Sequence, residues 1–145
     1  MASASREDCS LRRAAGGGDI EIGGVIDIHG AGNDSCDGGQ LRACASGNIL
    51  QRPDSFFDAT ARAASAGELE LFAPGGIDLH DADLTAASGS GGSAKLESTA
   101  GSVLLNGDLD TSGRAGLVDF GGRIDIEACR VNVRSGASLL ARGGL

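Results

Sequence analysis

Gly67-Glu-Leu69-Glu-Leu71, followed by Gly76-Ile77-Asp-Leu79 and then by Leu84, is the stretch from which the fold is read. Aliphatic residues alternate with carboxylates, a period of two that marks short strands with one face turned inward. Each such strand buries only two side chains, too few to hold a structure alone. The unit returns along the chain. Earlier copies read Gly18-Asp-Ile20-Glu-Ile22 with Val25-Ile26-Asp-Ile28, and Gly39-Gln-Leu41-Arg-Ala43 with Gly47-Asn-Ile49. Later ones read Gly92-Ser-Ala94-Lys-Leu96 with Val103-Leu-Leu105 and Leu109, and Gly116-Leu-Val118-Asp-Phe120 with Ile124-Asp-Ile126 and Val131-Asn-Val133; another opens near Leu139. The leading glycines Gly18, Gly39, Gly67, Gly92 and Gly116 lie 21, 28, 25 and 24 residues apart. Units of this size that cannot bury their own apolar face do so by stacking on their neighbours. The expected fold is all-β, a right-handed parallel β-helix (solenoid) of about five to six rungs. Its corners would be glycine because the chain turns there, often with positive φ. The expected inward ladders are Ile20/Leu41/Leu69/Ala94/Val118 and Ile22/Ala43/Leu71/Leu96/Phe120.

An antiparallel sandwich of the same strands would favour tight Asn-Gly or Asp-Gly hairpins, for which only Asn106-Gly107 and Asp37-Gly38 qualify, and would not produce the regular spacing. The solenoid domain is expected over residues 16–145. Residues 1–15 form an N-terminal segment in which Ser10-Leu11-Arg12-Arg13 would serve as a partial cap. Residues 51–65, QRPDSFFDATARAAS, interrupt the repeat and read as a side loop or a short helix, capped by Asp54 or Ser55, that tucks one of Phe56 and Phe57 against the coils. Five or six rungs, ~4.8 Å each, expose unpaired strand edges at both ends unless capped. The repeat is still running at Arg142-Gly143-Gly144-Leu145, which favours a piece of a longer chain or a chain that stacks end to end.

Composition narrows the function classes. The 145 residues and 14.4 kDa suit one domain, and 41% apolar residues suffice for a core. Twenty acidic residues against twelve basic give a net charge of −8, with no Trp, no Tyr and Lys95 as the single lysine. Nucleic-acid binders need clustered cations, and single strands also want aromatic platforms, so nucleic acid is not an expected partner. Anionic membrane surfaces are disfavoured for the same reason. No apolar run approaches the ~18 residues of a membrane span, and residues 1–15 lack the apolar region of a secretory signal.

Candidate chemistry is sparse. Cys9, Cys36, Cys44 and Cys129 form no CxxC pair; two disulfides with three connectivities are open, Cys36 and Cys44 are near enough to close a small loop, and Cys44 and Cys129 also suit half-buried strand positions. His29-Gly-Ala-Gly-Asn33-Asp34-Ser-Cys36 resembles one copy of the calcium-binding nonapeptide of RTX proteins, with Asp34 and Asn33 as the metal candidates. Such sites draw ligands from adjacent turns, and the residues from Asp37 onward do not continue the motif, so no cofactor is expected beyond Ca²⁺ at that loop. His29 and His80 follow Ile-Asp-Ile and Ile-Asp-Leu, equivalent places in rungs one and three, about 10 Å apart and too far for a shared metal. Asp81, Asp83, Asp108 and Asp110 are the best case for acid/base chemistry, with Asp83 expected beside Asp108 and Arg130 beyond it. No Ser/His/Asp order, P-loop or GxGxxG after a strand accompanies them, so no catalytic residue is assigned and an enzyme is not expected.

Gly-Gly-x-Ile-x-Ile followed by Gly-x-Ile-x-Leu, Leu109-Asp-Thr-Ser-Gly113, and the run Ile-x-Ile-x-Ala-Cys-x-Val-x-Val-x-Ser-Gly-Ala at 124–137 together resemble the Gly-rich β-solenoid repeats of secreted bacterial surface proteins, the filamentous-haemagglutinin-like adhesins and autotransporter passengers. The resemblance implies an extracellular or cell-surface location and a structural or adhesive role, and it brings no functional residues with it. The expected function is therefore a non-enzymatic structural or adhesive module. Its expected partner is itself, by end-to-end stacking into fibres or within a longer solenoid, with a glycan or cell-surface ligand as a further partner. The alternatives are a calcium- or carbohydrate-binding module and, behind it, a polysaccharide-acting β-helix enzyme.

Overall fold

The structure, a computed structural model, describes residues 18–30, 36–62, 64–113 and 120–143. The chain opens with β1 (Ile20–Ile22) and β2 (Val25–Asp27). It then winds through β3 (Gln40–Cys44), β4 (Asn48–Gln51) and β5 (Phe56–Asp58), and through β6 (Glu68–Phe72), β7 (Gly76–Leu79) and β8 (Asp81–Asp83). Two further coils are β9 (Ser93–Glu97), β10 (Ser102–Leu105) and β11 (Leu109–Asp110), and β12 (Arg123–Glu127), β13 (Arg130–Val133) and β14 (Leu139–Leu140). No helix occurs among the described residues.

Every third strand pairs, always in parallel, giving sheet A (β1-β4-β7-β10-β13), sheet B (β2-β5-β8-β11-β14) and sheet C (β3-β6-β9-β12). This is a β-solenoid of about four turns: four complete C–A–B coils preceded by the β1–β2 pair, against the five to six rungs expected. The core is a set of inward ladders. Sheet A stacks Ile20, Ile49, Ile77, Val103 and Val131; sheet B stacks Ile26, Phe57, Ala82, Leu109 and Leu139. Sheet C stacks Leu41, Leu69, Ala94 and Ile124 beside Ala43, Leu71, Leu96 and Ile126. Their middle members are buried, and like side chains lie on like at the strand spacing.

The middle of both expected ladders stands and both ends are corrected. Ile20 and Ile22 belong to sheet A, opposite Ile49 and Gln51, not to the ladder of Leu41 and Ala43. At the other end Ile124 and Ile126 hold the places assigned to Val118 and Phe120; Phe120 is 72% exposed, and Val118 lies outside the described residues, as does the Ser10–Arg13 cap. All these strands share one period of two, so alternation identifies a strand without saying which of three sheets it joins. Ile20-Glu-Ile22 has the alternation of a sheet-C strand and the place of a sheet-A one.

Residues 51–65 are corrected too. The described residues among them form no helix: β5 is the regular sheet-B strand of its coil, with Phe57 packed into the core, as one of the two aromatics was expected to be, and Phe56 turned outward. The corner glycines answer to crowding rather than to positive φ, which among the described residues occurs at Gly24 and Gly136. Gly39, Gly67, Gly92 and Gly122 each precede a sheet-C strand and stack in one column. A Cβ on Gly67 would lie 2.1 Å from the Gly39 carbonyl oxygen, and one on Gly92 2.3 Å from that of Gly67. The column thus sets how closely coils approach at the corner. Cys44, at the end of β3, is disulfide-bonded, whereas Cys36 and Cys129 are free and exposed. A Cys36–Cys44 loop is therefore excluded, and Cys129 lies in the turn between β12 and β13 rather than on a strand.

Candidate functional site

The first four strands of sheet B each end on an aspartate, and Leu140 holds that place in the last. Asp27, Asp58, Asp83 and Asp110 stand in register on the outer side of the sheet. Past each aspartate the N–H groups one and three residues on still bond carbonyls of the next coil, and the short carboxylate takes the N–H between them. Each aspartate Oδ1 accepts the N–H two residues on: His29 at 3.2 Å, Thr60 at 3.0 Å, Thr85 at 3.0 Å and Ser112 at 2.9 Å. The sequence signal is Asp-x-(His/Thr/Ser), read at 27–29, 58–60, 83–85 and 110–112.

This capped corner is where the solenoid sends out its long connections. Segments leading from sheet B to sheet C run nine or twelve residues, while those at the other two corners run one to five. In three coils the loop is closed by a glycine N–H donating back to the chain just past the aspartate: Gly39 to Ile28 at 2.6 Å, Gly67 to Ala59 at 2.8 Å and Gly92 to Leu84 at 2.9 Å. Insertions gathered on one edge of a repeat protein commonly carry its contacts.

In the first coil the residue after the cap is an imidazole instead of a hydroxyl. His29 Nδ1 hydrogen-bonds Asp27 Oδ1, and Asp58 stands beside Asp27 one coil on. One ligand atom from each of Asp27, His29 and Asp58 lies within 4.8 Å of the others. The side chains of His29 and Asp27 are 50% and 51% exposed. The hydrogen bond to His29, seconded by that residue's N–H, holds the Asp27 carboxyl below its usual range. The same bond, with the Asp27 charge, raises the imidazole above its ordinary value. Two carboxylates and one imidazole can share a proton or a cation.

The other site residues read from the sequence fall differently. Asn33 and Asp34 lie outside the described residues. His80 is not the counterpart of His29. It follows β7 in sheet A, its side chain 20% exposed, with Nε2 3.7 Å from Asp78 and 3.5 Å from Asn106 Nδ2. Asp83 stands beside Asp110, not Asp108; Asp108 is the counterpart of Asp81, whose carboxylate accepts the Asp108 N–H at 2.9 Å. Arg130 pairs with Ser102 in sheet A, away from these carboxylates. Gln51 was not singled out from the sequence. It occupies an inward position opposite Ile22 and is 4% exposed. Its Nε2 donates to the carbonyls of Asp81 at 3.0 Å and Ser55 at 3.3 Å, and its Oε1 accepts from His80 N–H at 2.9 Å. A polar residue at an aliphatic position of the repeat is the signal that would have found it.

Elsewhere the outer face of sheet C carries an open depression lined by Glu70, Lys95, Arg123, Asp125 and Glu127. Among the described residues no helix is long and apolar enough to cross a membrane. No protein-family model matches the chain, and no curated protein or solved structure matches it.

Proposed function

We propose that the chain is a non-enzymatic structural or adhesive module, a right-handed β-solenoid of an extracellular or surface protein, whose last coil is covered by further coils, those of another copy or of a longer solenoid. The observation that carries this reading is the state of the last coil. Val131, Val133 and Leu139 are 44%, 47% and 39% exposed, whereas their ladder-mates Val103, Leu105 and Leu109 are fully buried. Among the described residues no strand pairs with the outer edges of β12, β13 and β14. Apolar ladders that end in solvent beside unpaired backbone groups are what strand addition covers. A second copy laid on in register would set Ile20 on Val131, Ile22 on Val133 and Ile26 on Leu139, continuing the ladders.

The extracellular location rests on the resemblance to Gly-rich repeats of bacterial surface proteins. The non-enzymatic reading is supported by Asp81, Asp83 and Asp110, whose carboxylates accept backbone N–H groups, and by Asp108, which takes the Ser138 hydroxyl at 2.6 Å. A mechanical role needs no more than rungs held in register.

Sedimentation velocity over a hundredfold concentration range, with electron microscopy of the concentrated protein, tests the assembly. The expected result is concentration-dependent growth into filaments with a repeat of about 4.8 Å along the axis, lost in a Val131→Lys, Val133→Lys double variant. A wild type monomeric throughout would overturn end-to-end stacking.

A further inference from the structure

We propose that Asp27, His29 and Asp58 form a three-ligand site for a divalent transition-metal ion of the zinc type, bridging the first two strand layers at the corner where the loops emerge. The backbone sets the ligands in place. Asp27 and Asp58 are register partners on adjacent parallel strands, and the pairing continues past them through Ile28 N–H to the Asp58 carbonyl and Gly30 N–H to that of Thr60, both 2.8 Å. His29 is thereby held on the same outward row as the two carboxylates, two residues beyond Asp27. Donor atoms around one zinc ion sit ~2.0–2.2 Å from it and so roughly 3.5 Å apart. The present set, within 4.8 Å, closes to that span by rotation of the half-exposed Asp27 and His29 side chains.

The donor chemistry selects the class of ion. Calcium and magnesium take oxygen ligands, whereas an imidazole beside two carboxylates suits zinc and its neighbours, and three protein donors leave a position for water. The comparison between coils isolates the histidine. Caps at Asp58, Asp83 and Asp110 work with Thr60, Thr85 and Ser112 in the same place, using only the backbone N–H. Capping therefore gives no reason for an imidazole at position 29. The two further aspartate pairs of the row, Asp58/Asp83 and Asp83/Asp110, have the carboxylates without the imidazole and are internal controls.

Isothermal titration calorimetry of the full chain with zinc chloride, and in parallel with calcium chloride, tests the site. One zinc ion per chain is expected, weakened by on the order of tenfold or more in His29→Gln and in Asp58→Asn, and unchanged in His80→Gln and Asp110→Asn. Asparagine keeps an acceptor oxygen for the Thr60 N–H, and far-UV circular dichroism checks each variant's fold. Should Asp58→Asn unfold, His29→Gln, at a half-exposed side chain, decides alone. Zinc binding untouched by His29→Gln, as it would be if Cys36 or Cys129 held the ion, overturns the proposal. So does an absence of zinc heat at millimolar metal, or calcium binding as tight as zinc.

Discussion

Along the outer face of sheet C, Arg42, Glu70, Lys95 and Asp125 follow one another in register, cation and anion in turn. Along sheet B, Asp27, Asp58, Asp83 and Asp110 do so with one sign. Parallel in-register stacking forces this choice on every outward position, because a residue meets its own counterpart about 4.8 Å away in the next coil. The sheet-C row neutralises itself, and Arg42 Nε lies 3.1 Å from Glu70. Within the aspartate row, neighbours such as Asp58 and Asp83 repel by on the order of 1 kcal/mol at water-like dielectric. The row is kept because each carboxylate does a local task, capping the backbone at the corner that releases the long loops. One row spends its charges on cohesion, the other on geometry, and only the second leaves an electrostatic demand that a bound cation would meet.

Both rows hang from the same core, so the largest effect comes from breaking what they share. Leu71 is 2% exposed between Ala43 and Leu96. Leu71→Asp would remove a buried aliphatic side chain and strand a charge, a loss above about 4 kcal/mol. No cooperative thermal transition should remain, and a soluble variant with native circular dichroism would refute the sheet-C register. Next comes the corner between the two rows. Gly92→Ala places a Cβ against the Gly67 carbonyl and should cost about 1–3 kcal/mol in urea unfolding. Gly18→Ala, with nothing within 4 Å, should stay within about 0.5 kcal/mol of wild type.

How far these features were legible follows from what repeats carry. Alternation with flanking glycines announced strands, stacking and parallel coils, and it placed the middle ladder Leu41/Leu69/Ala94 correctly. It left the phase of the first and last copies undetermined, because Ile20-Glu-Ile22 looks alike in any sheet. Phe56-Phe57 hid a strand, since the second aromatic fills a place that alanine or leucine takes in later coils. The Asp27–His29–Asp58 group was invisible for a related reason. Asp27 and Asp58 lie 31 residues apart, and only correct phasing brings them side by side. The Asp-x-(Thr/Ser) copies at 58–60, 83–85 and 110–112 carry that phase, whereas Asp78-Leu-His80 in sheet A offers Asp27-Ile-His29 a false match.

The two rows themselves are separated by smaller perturbations. Glu70→Lys puts a cation between Arg42 and Lys95, so that three neighbours in the self-neutralising row share one sign. It should lower stability by about 1 kcal/mol at low ionic strength. The loss should shrink as salt shortens the screening length below the strand-to-strand distance.

Asp83 gives the weakest and most discriminating test. Asp83→Asn removes one of three adjacent like charges while keeping an oxygen for the Thr85 N–H, so the unfolding free energy from urea titration should rise by about a few tenths of a kcal/mol, and the gain should vanish in high salt. Asp83→Ala removes the same charge together with the acceptor, and the freed N–H should cost about 0.5–1.5 kcal/mol at any salt. The pair separates charge from capping at a single position. If asparagine and alanine behave alike at both ionic strengths, the aspartate row is not a row of caps, and the contrast with sheet C reduces to a difference in net charge.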